Sequence, residues 1–308
     1  MMNGNTLGSL TLSSKRAESL GLLYGFLGIL TFSLTLPASR VAVSTFGAIV
    51  VGPGRALISA VFAAILLWLR QEIAPRKEHL PGLALIAVGA IFGFPLLTAW
   101  AMNRLPASHG AVELALLPLA TAAVSALRNG ERPSWLFWTC SIGAAVTVVA
   151  YTWVTGLGGV HLADLALLGA VIIVAFAYAE GGRMAHEIGG WQVIAWSVVI
   201  SLPSVILLLA VNFVVDGTTQ VLHASWQAWC GLLYLGIGSQ FFGFVAWYTG
   251  MALGGVARVI QMQYLQPFFT IVFSWILLGE KLTILTIAAT LLVVLWVAIG
   301  KQAPIRRQ

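Results

Sequence analysis

Long, nearly uninterrupted apolar runs restrict the fold of this chain more than any other feature of the sequence. Examples are LGLLYGFLGILTFSLTL and LTILTIAATLLVVLWVAIG, which begin at Leu20 and Leu282. A helix needs about 20 mostly apolar residues to cross roughly 30 Å of hydrocarbon. Strands of a membrane barrel would alternate apolar and polar residues, and these runs do not. Since 59% of the residues are hydrophobic and only 8% are charged, we predict an all-α, polytopic membrane protein.

Charges, Pro/Gly clusters and polar stretches divide the chain into ten predicted spans. They cover approximately residues 19–41, 46–69, 80–103, 107–128, 134–154, 162–182, 191–214, 226–250, 256–278 and 283–301. The connections are short apart from 70–79 and 215–225, so no separate soluble domain is expected to hold an active site. The first run is longer than the core of a signal peptide and is interpreted as a retained span.

The positive charges predict the orientation, because cytoplasmic loops are rich in Lys and Arg. With the N-terminus in the cytoplasm, the outer face keeps only Arg104 and Lys281, while Arg40 and Arg55 lie in or near the first two spans. We therefore expect a multi-pass protein of the cell (inner or plasma) membrane with both termini cytoplasmic. Orientation also accounts for the net charge of +6, and no nucleic-acid partner is expected. The inner face collects Lys15, Arg16, Arg70, Arg76, Lys77, Arg128, Arg132, Arg183, Arg258, Lys301, Arg306 and Arg307.

The two halves of the chain repeat one pattern. GERPSW at 130–135 and GEKLTI at 279–284 both read glycine, glutamate, cation, any residue, hydroxyl. Aligning Pro118 with Pro267 places these motifs in register. A second segment agrees at a nearly equal offset: Gly89, Ala99 and Trp100 match Gly236, Ala246 and Trp247. Because each copy has five spans, the two copies must lie in opposite orientations, which is typical of transporters.

Each motif is interpreted as a structural turn. Gly130 and Gly279 are suited to the left-handed conformation that ends a helix. Ser134 and Thr283 are predicted to cap the helix that follows, with the carboxylate near its positive end.

These segments resemble the drug/metabolite transporter superfamily, in its ten-helix EamA branch. The resemblance covers nearly the whole chain and is most specific at PLATAAVSALRNGERPSW and QPFFTIVFSWILLGEKLTI. SHGAVE and QYLQP are most similar to YddG-type amino-acid exporters. The resemblance implies a basket-like fold whose central cavity is formed by helices one, three, four, six, eight and nine. The expected domains are a cytoplasmic segment at 1–17, five-helix repeats at 18–155 and 162–301, and a basic cytoplasmic tail at 302–308.

Glu113 is the one carboxylate predicted deep in a transport path. A charge at the bilayer centre costs about 2.5–3.5 kcal/mol on insertion scales, so the side chain should face protein or a wet cavity. It is interpreted as a contact for a substrate ammonium or as a proton carrier. The alternative is an outer-interface pair with Arg104 or with His109, which lies four residues earlier on the same helix face.

Other polar and aromatic residues complete the predicted pathway. Gln263 and Gln266 share a helix face beside Pro267, which suggests a cavity lining next to irregular backbone. The aromatic residues are interpreted either as a cavity wall or as members of the interfacial belts. The predicted pathway residues are Trp100, His109, Glu113, Tyr178, Gln240, Trp247, Tyr248, Gln263, Tyr264 and Gln266.

Four charged residues are candidate gates or substrate contacts. Arg40 and Arg55 flank the first outer turn and would either orient a substrate carboxylate or snorkel to the interface. Glu180 is read as part of an interfacial ion pair with Arg183 or as a gate. Arg258 opens span nine and is a candidate for the inner gate.

The expected function is secondary export of small neutral or zwitterionic metabolites, foremost aromatic and other neutral amino acids, by alternating access of the two repeats. Since no nucleotide-binding motif occurs, downhill export and proton exchange both remain open. An exporter of drugs or other metabolites is the alternative. An intramembrane enzyme would need a metal motif such as HExxH or a nucleophile with a base, and neither is found. No cofactor, catalytic residue or metal is predicted. The expected partners are the small-molecule substrate and the lipid bilayer. We expect a monomer, with a dimer as the alternative.

Overall fold

The computed structural model of the protein describes residues 4–128, 132–155, 161–216, 224–301 and 305–306. Apolar helices follow one another in the order of the ten predicted spans, and we number them one to ten. Within these described residues, seven are long and apolar enough to cross a membrane: Arg16–Val51, Lys77–Met102, Ala107–Arg128, Trp135–Thr155, Leu162–Ile188, Gly190–Val215 and Trp226–Gly254. Helices two, nine and ten are shorter and cover Pro53–Leu69, Met262–Leu278 and Ile284–Gly300. The prediction of an all-α, polytopic membrane protein is confirmed.

Several of these helices consist of more than one segment. Helices one to five contain α1 (Gly4–Ser33), α2 (Thr35–Val51), α3 (Ala56–Leu69), α4 (Leu80–Ile86), α5 (Phe94–Met102), α6 (Ala107–Leu114), α7 (Leu117–Arg128) and α8 (Trp135–Thr155). Helices six to ten contain α9 (Leu162–Ile188), α10 (Gly190–Asp216), α11 (Trp226–Leu233), α12 (Phe244–Gly254), α13 (Val256–Val259), α14 (Gln266–Leu278) and α15 (Ile284–Lys301). Two short strands, β1 (Arg132–Pro133) and β2 (Ile305–Arg306), pair antiparallel and join the chain after helix four to the C-terminal segment.

The interruptions recur at equivalent places in the two halves. Helix three contains a π-helical segment at Ala87–Gly93, and helix eight contains one at Tyr234–Gly243. Helix four breaks between α6 and α7, and helix nine passes through a 3₁₀ segment, Ile260–Leu265, before α14. Pro118 and Pro267 lie in the first turns after these breaks. Because proline has no N–H, a continuous helix would lack a hydrogen bond there. The matching breaks support the internal repeat.

Helix one ends later than the sequence predicts. The prediction places its end near residue 41, but α2 continues to Val51, with Gly47 at φ 74° inside it, and helix two starts at Pro53. Arg40 does not mark the helix end, because its guanidinium donates to the carbonyl oxygens of Met102 and Leu105, at the end of helix three and just after it. The charge is therefore satisfied by protein without leaving the helix.

In the second copy of the repeated turn, the glycine and the hydroxyl have the predicted roles. Gly279 takes the left-handed conformation at φ 64° and ends α14, and the Thr283 hydroxyl accepts a hydrogen bond of 3.1 Å from the Thr286 N–H at the start of α15. In the first copy, the Ser134 hydroxyl has no hydrogen-bond partner among the described residues, so the predicted cap there is wrong. Gly130 and Glu131 lie outside the described residues.

Helices one and eight approach each other closely through glycines, small residues that let helix backbones come together. A Cβ atom on Gly250 would lie 2.8 Å from the backbone nitrogen of Gly25, a distance that real side chains do not reach. Helix eight is thereby fixed against helix one, and its π-helical segment is held in the interior of the bundle.

Candidate functional site

A buried arginine lies at mid-depth in the helix bundle. The Arg55 Nε–H donates to the Gln240 side-chain oxygen at 3.0 Å, and the Gln240 amide nitrogen donates to the Ala90 carbonyl at 3.3 Å. Gln240 is midway along helix eight and Ala90 midway along helix three, and both belong to π-helical segments. Arg55 and Gln240 therefore connect the two π-helical segments near the middle of the bundle.

The charge of Arg55 has no acidic partner in the part of the chain that the structure describes. The side chain is 2% exposed, and within those residues the bond to Gln240 is its one hydrogen bond. A guanidinium carries five N–H donors, and a buried charge is costly unless it is paired and hydrogen-bonded. The arrangement is suited to receiving an anionic group from a ligand.

Aromatic rings line the neighbouring interior. Tyr178 stacks with Phe32 at a ring-centroid distance of 6.4 Å and lies 5.8 Å from Trp247, while Tyr248 packs 5.5 Å from Phe244. Tyr178 and Tyr234 are close enough to Arg55 to interact with it electrostatically. Tyr178 therefore connects this group of rings to the surroundings of the guanidinium.

The break in helix nine buries further polar groups. Gln263 is 2% exposed, and neither atom of its amide group has a hydrogen-bond partner within the described ranges. Gln266 begins α14, and its carbonyl accepts from the Ser33 hydroxyl of helix one at 3.3 Å. Tyr264 lies toward helix ten, where its hydroxyl donates to the Val297 carbonyl at 3.5 Å.

A second polar cluster lies at the end of the bundle that carries Arg104 and Lys281, called the outer end after the predicted orientation. The His109 Nε2 atom lies 2.8 Å from the Asp164 carboxylate and 3.2 Å from the Glu113 carboxylate. Glu113 and Asp164 are 0% and 1% exposed. Asp164 also accepts from the His161 backbone N–H at 2.6 Å, which caps helix six.

This cluster adjoins a cavity of about 400 Å³. Its lining includes Arg104, His109, Tyr151, His161, Glu280 and Lys281. We call this space the outer vestibule.

Glu280 joins the two halves at the rim of the vestibule. Its carboxylate accepts from the backbone N–H groups of Ala107 and Ser108 at 2.8 and 2.9 Å, and lies 3.5 Å from the Arg40 guanidinium. The sequence predicts this carboxylate near the start of helix ten, which follows it. In the structure it caps the start of helix four, in the first half of the chain. Arg40 is thus held by the carbonyl groups of Met102 and Leu105, at the end of helix three and just after it, and by Glu280.

Ion pairs hold the opposite, inner end. Glu180 is buried between Arg128 and Arg183, each 2.6 Å from one of its oxygens, so helices four and six are linked there. Arg258 pairs with Glu18 of helix one and is 57% exposed.

The structure divides the predicted pathway residues among these regions. Gln240 bonds Arg55, and Trp247 and Tyr248 belong to the neighbouring aromatic group that contains Tyr178. His109 and Glu113 lie together in the outer cluster. Trp100 belongs to neither group: it lies under Arg104, whose guanidinium carbon is 3.9 Å from the ring centroid.

Sequence reasoning missed Asp164 and Tyr234. Asp164 is three residues into helix six, where a carboxylate is expected as a cap, so its sequence position indicates only that role. Tyr234 opens the π-helical segment of helix eight and donates to the Thr31 carbonyl at 2.6 Å. Its position in an apolar run carries no signal that separates it from an interfacial tyrosine.

Broken helices in repeated positions, with buried polar groups at mid-depth, are the architecture of membrane transporters. The sequence matches the EamA-like transporter family over residues 19–155 and 161–299. The chain belongs to this family and contains two of its repeats.

Individual relatives agree with this assignment. The chain is 38% identical over 282 residues to "Uncharacterized transporter YdeK" of Bacillus subtilis, covering 92% of this chain and 97% of the relative. It is 25% identical over 259 residues to "Probable terminal-alkyne amino-acid exporter" of Streptantibioticus cattleyicolor, covering 82% of this chain and 84% of the relative. A solved structure with 17% identity has the same fold at a TM-score of 0.64, covering 92% of this chain and 96% of its own. The protein is a multi-pass membrane transporter.

Proposed function

We propose that the protein exports small zwitterionic metabolites, foremost aromatic and other neutral amino acids, by alternating access of two inverted repeats. The observation that carries the proposal is the Arg55 guanidinium, buried at mid-depth without a carboxylate partner among the described residues. Binding sites of inverted-repeat transporters lie near the bilayer midplane. The printed name of the Streptantibioticus relative, an amino-acid exporter, is consistent with such a cargo.

In this proposal, Arg55 binds the carboxylate of the amino acid. Its terminal N–H groups match the two oxygens of a carboxylate, and the bond from Nε to Gln240 holds the guanidinium plane in place. Tyr178 and Trp247 then supply an aromatic wall for the substrate side chain. Gln263, whose buried amide lacks a partner in the described ranges, is our candidate acceptor for the ammonium group.

Alternating access would release the two ends of the bundle in turn. At the outer end, Arg40 and Glu280 join helix one and helix four to the turn after helix nine. At the inner end, Glu180 joins helices four and six. The proposed rigid units are the repeats at 18–155 and 162–301, with the segments 1–17 and 302–308 in the cytoplasm, acting as a monomer in the cell membrane. No cofactor or catalytic step is needed for this cycle.

The test is uptake into liposomes loaded with unlabelled amino acid. Wild type should exchange labelled neutral and aromatic amino acids saturably, and Arg55→Gln should lose this exchange by at least about 10-fold, the change expected for about 1.4 kcal/mol of lost binding. Arg76→Gln is the matched control, because this arginine is exposed and lies in the connection between helices two and three. Both variants must elute as folded protein at the wild-type position on size exclusion.

Two results would contradict the proposal. If folded wild type exchanged no amino acid but exchanged cationic drugs, the protein would be a drug exporter. If Arg55→Gln exchanged amino acids as fast as Arg76→Gln, the buried guanidinium would not be the carboxylate site.

A further inference from the structure

In the outer cluster, two buried carboxylates, Glu113 and Asp164, face a single donor, the Nε2 atom of His109. Both carboxylates are almost completely buried, and each faces the same imidazole nitrogen. One nitrogen donates at most one hydrogen bond, and the geometry directs it to Asp164 at 2.8 Å. Both oxygens of Glu113 are then left without a hydrogen-bond partner among the described residues.

The surrounding charged groups do not fill this gap. Arg104 and Lys281 line the vestibule, but Arg104 bonds the Trp100 carbonyl. Arg40, on the neighbouring helix one, is held by Glu280 and the carbonyl groups. Within the described part of the chain, no Lys or Arg forms an ion pair with Glu113 or Asp164, and a buried carboxylate that is not paired with a cation, hydrogen-bonded or protonated is costly.

The donor atoms have the spacing of a metal site. One imidazole nitrogen and one oxygen from each carboxylate lie within 4.8 Å of one another. Zinc binds nitrogen and oxygen at about 2.0–2.2 Å, which places neighbouring tetrahedral ligands about 3.3 Å apart. The observed separations of 2.8 and 3.2 Å from Nε2 are close to that value.

The cluster also has outer-shell support and an entry path. The Asp164 carboxylate is oriented by the His161 backbone N–H, and the His109 Nδ1 atom lies 3.4 Å from the Thr155 hydroxyl. Partners of this kind orient ligands toward a metal. His109 lines the outer vestibule, so a hydrated ion can reach its ring from that cavity.

We propose that His109, Glu113 and Asp164 form a binding site for one divalent transition-metal ion of the zinc type, with the vestibule supplying the remaining position. A mixed imidazole and carboxylate set favours such ions over magnesium, which prefers oxygen ligands alone. A bound ion would compensate Glu113 and join helix four of the first repeat to helix six of the second. The site does not depend on the proposed substrate.

The experiment measures Zn²⁺ binding to the full-length protein in detergent, after removal of any polyhistidine tag. Equilibrium dialysis with elemental analysis gives the stoichiometry, and calorimetric titration gives the Kd. Wild type should bind one Zn²⁺ per chain and bind Mg²⁺ more weakly. Glu113→Gln should weaken Zn²⁺ binding by at least about 10-fold, since even outer-shell partners have effects of that size.

Glu113→Gln is the decisive variant, because Glu113 makes no hydrogen bond to the described residues that the change would remove. His109→Gln should weaken binding similarly. His161→Asn is the matched control: it removes the other imidazole of the vestibule, and asparagine still caps helix six.

Loss of affinity in the first two variants, with wild-type affinity in His161→Asn, would support the site. Failure of folded wild type to bind Zn²⁺ saturably, or equal affinity in Glu113→Gln, would overturn it. A change in pH-driven transport without any Zn²⁺ binding would also overturn it, because the cluster would then hold only protons. Amino-acid exchange by the same wild-type preparation is scored separately, so the two proposals fail independently.

Discussion

Removing the Glu280 carboxylate should destabilise the contact between the two halves at the outer end. Its two oxygens accept separate backbone N–H groups at the start of α6, at 2.8 and 2.9 Å. Helix N-termini leave such N–H groups without intrahelical partners. Glu280→Ala therefore removes a cap that is supplied from the other half of the sequence.

The size of the effect follows from three contributions. Loss of a helix cap costs about 0.5–2 kcal/mol, and loss of a negative charge at a helix N-terminus costs about 0.3–1 kcal/mol. The pair with Arg40 adds less than about 1 kcal/mol, because the Arg40 side chain is 36% exposed. We expect Glu280→Ala to lower the free energy of unfolding by about 1–3 kcal/mol and the Tm by roughly 2–6 °C.

The assay is thermal unfolding in detergent, followed by tryptophan fluorescence. Glu280→Gln should fall between wild type and Glu280→Ala, because the amide oxygen still accepts one N–H but carries no charge. Lys281→Ala is the matched control, since the Lys281 side chain forms no hydrogen bond with the described residues. Equal Tm values for Glu280→Ala and Lys281→Ala would refute the capping argument.

Two further predictions concern packing and the inner end. Gly250→Ala should lower the Tm, since its Cβ would lie 2.8 Å from the facing backbone. Gly169→Ala is the control, because a Cβ there would meet a side chain at an ordinary 3.6 Å. A Tm decrease in Gly169→Ala as large as that in Gly250→Ala would contradict the close approach. Glu180→Gln should cost about 1–2 kcal/mol, because it leaves two arginines without their buried carboxylate. Glu18→Gln, in an exposed pair, should cost less than about 1 kcal/mol; a larger loss than Glu180→Gln would contradict this ranking.

Much of the helix bundle could be predicted from the sequence because its determinants are local. A run of about 20 apolar residues marks a span wherever it occurs, and Gly279 and Thr283 act on backbone within a few residues of themselves. Arg40 shows the limit of this reasoning, since a charge inside a helix is tolerated when distant carbonyl groups satisfy it.

The candidate sites were only partly predictable, because a residue type does not identify its partner. Glu113 and His109 are four residues apart on one helix, so their proximity follows from helix geometry. Asp164, which completes that cluster, comes from another helix 55 residues after His109. Its sequence context indicates a cap and nothing more.

The sequence by itself determined the class of protein, the order of its apolar helices and the internal repeat, because hydrophobic length and repeated turns are properties of contiguous residues. Only the tertiary structure decided that Arg55 bonds Gln240, 185 residues away, and that Glu280 caps a helix 173 residues before it. Such pairs depend on the rotation and register of one helix against another. Those are determined by packing across the whole bundle, where small residues such as Gly250 allow backbones to approach.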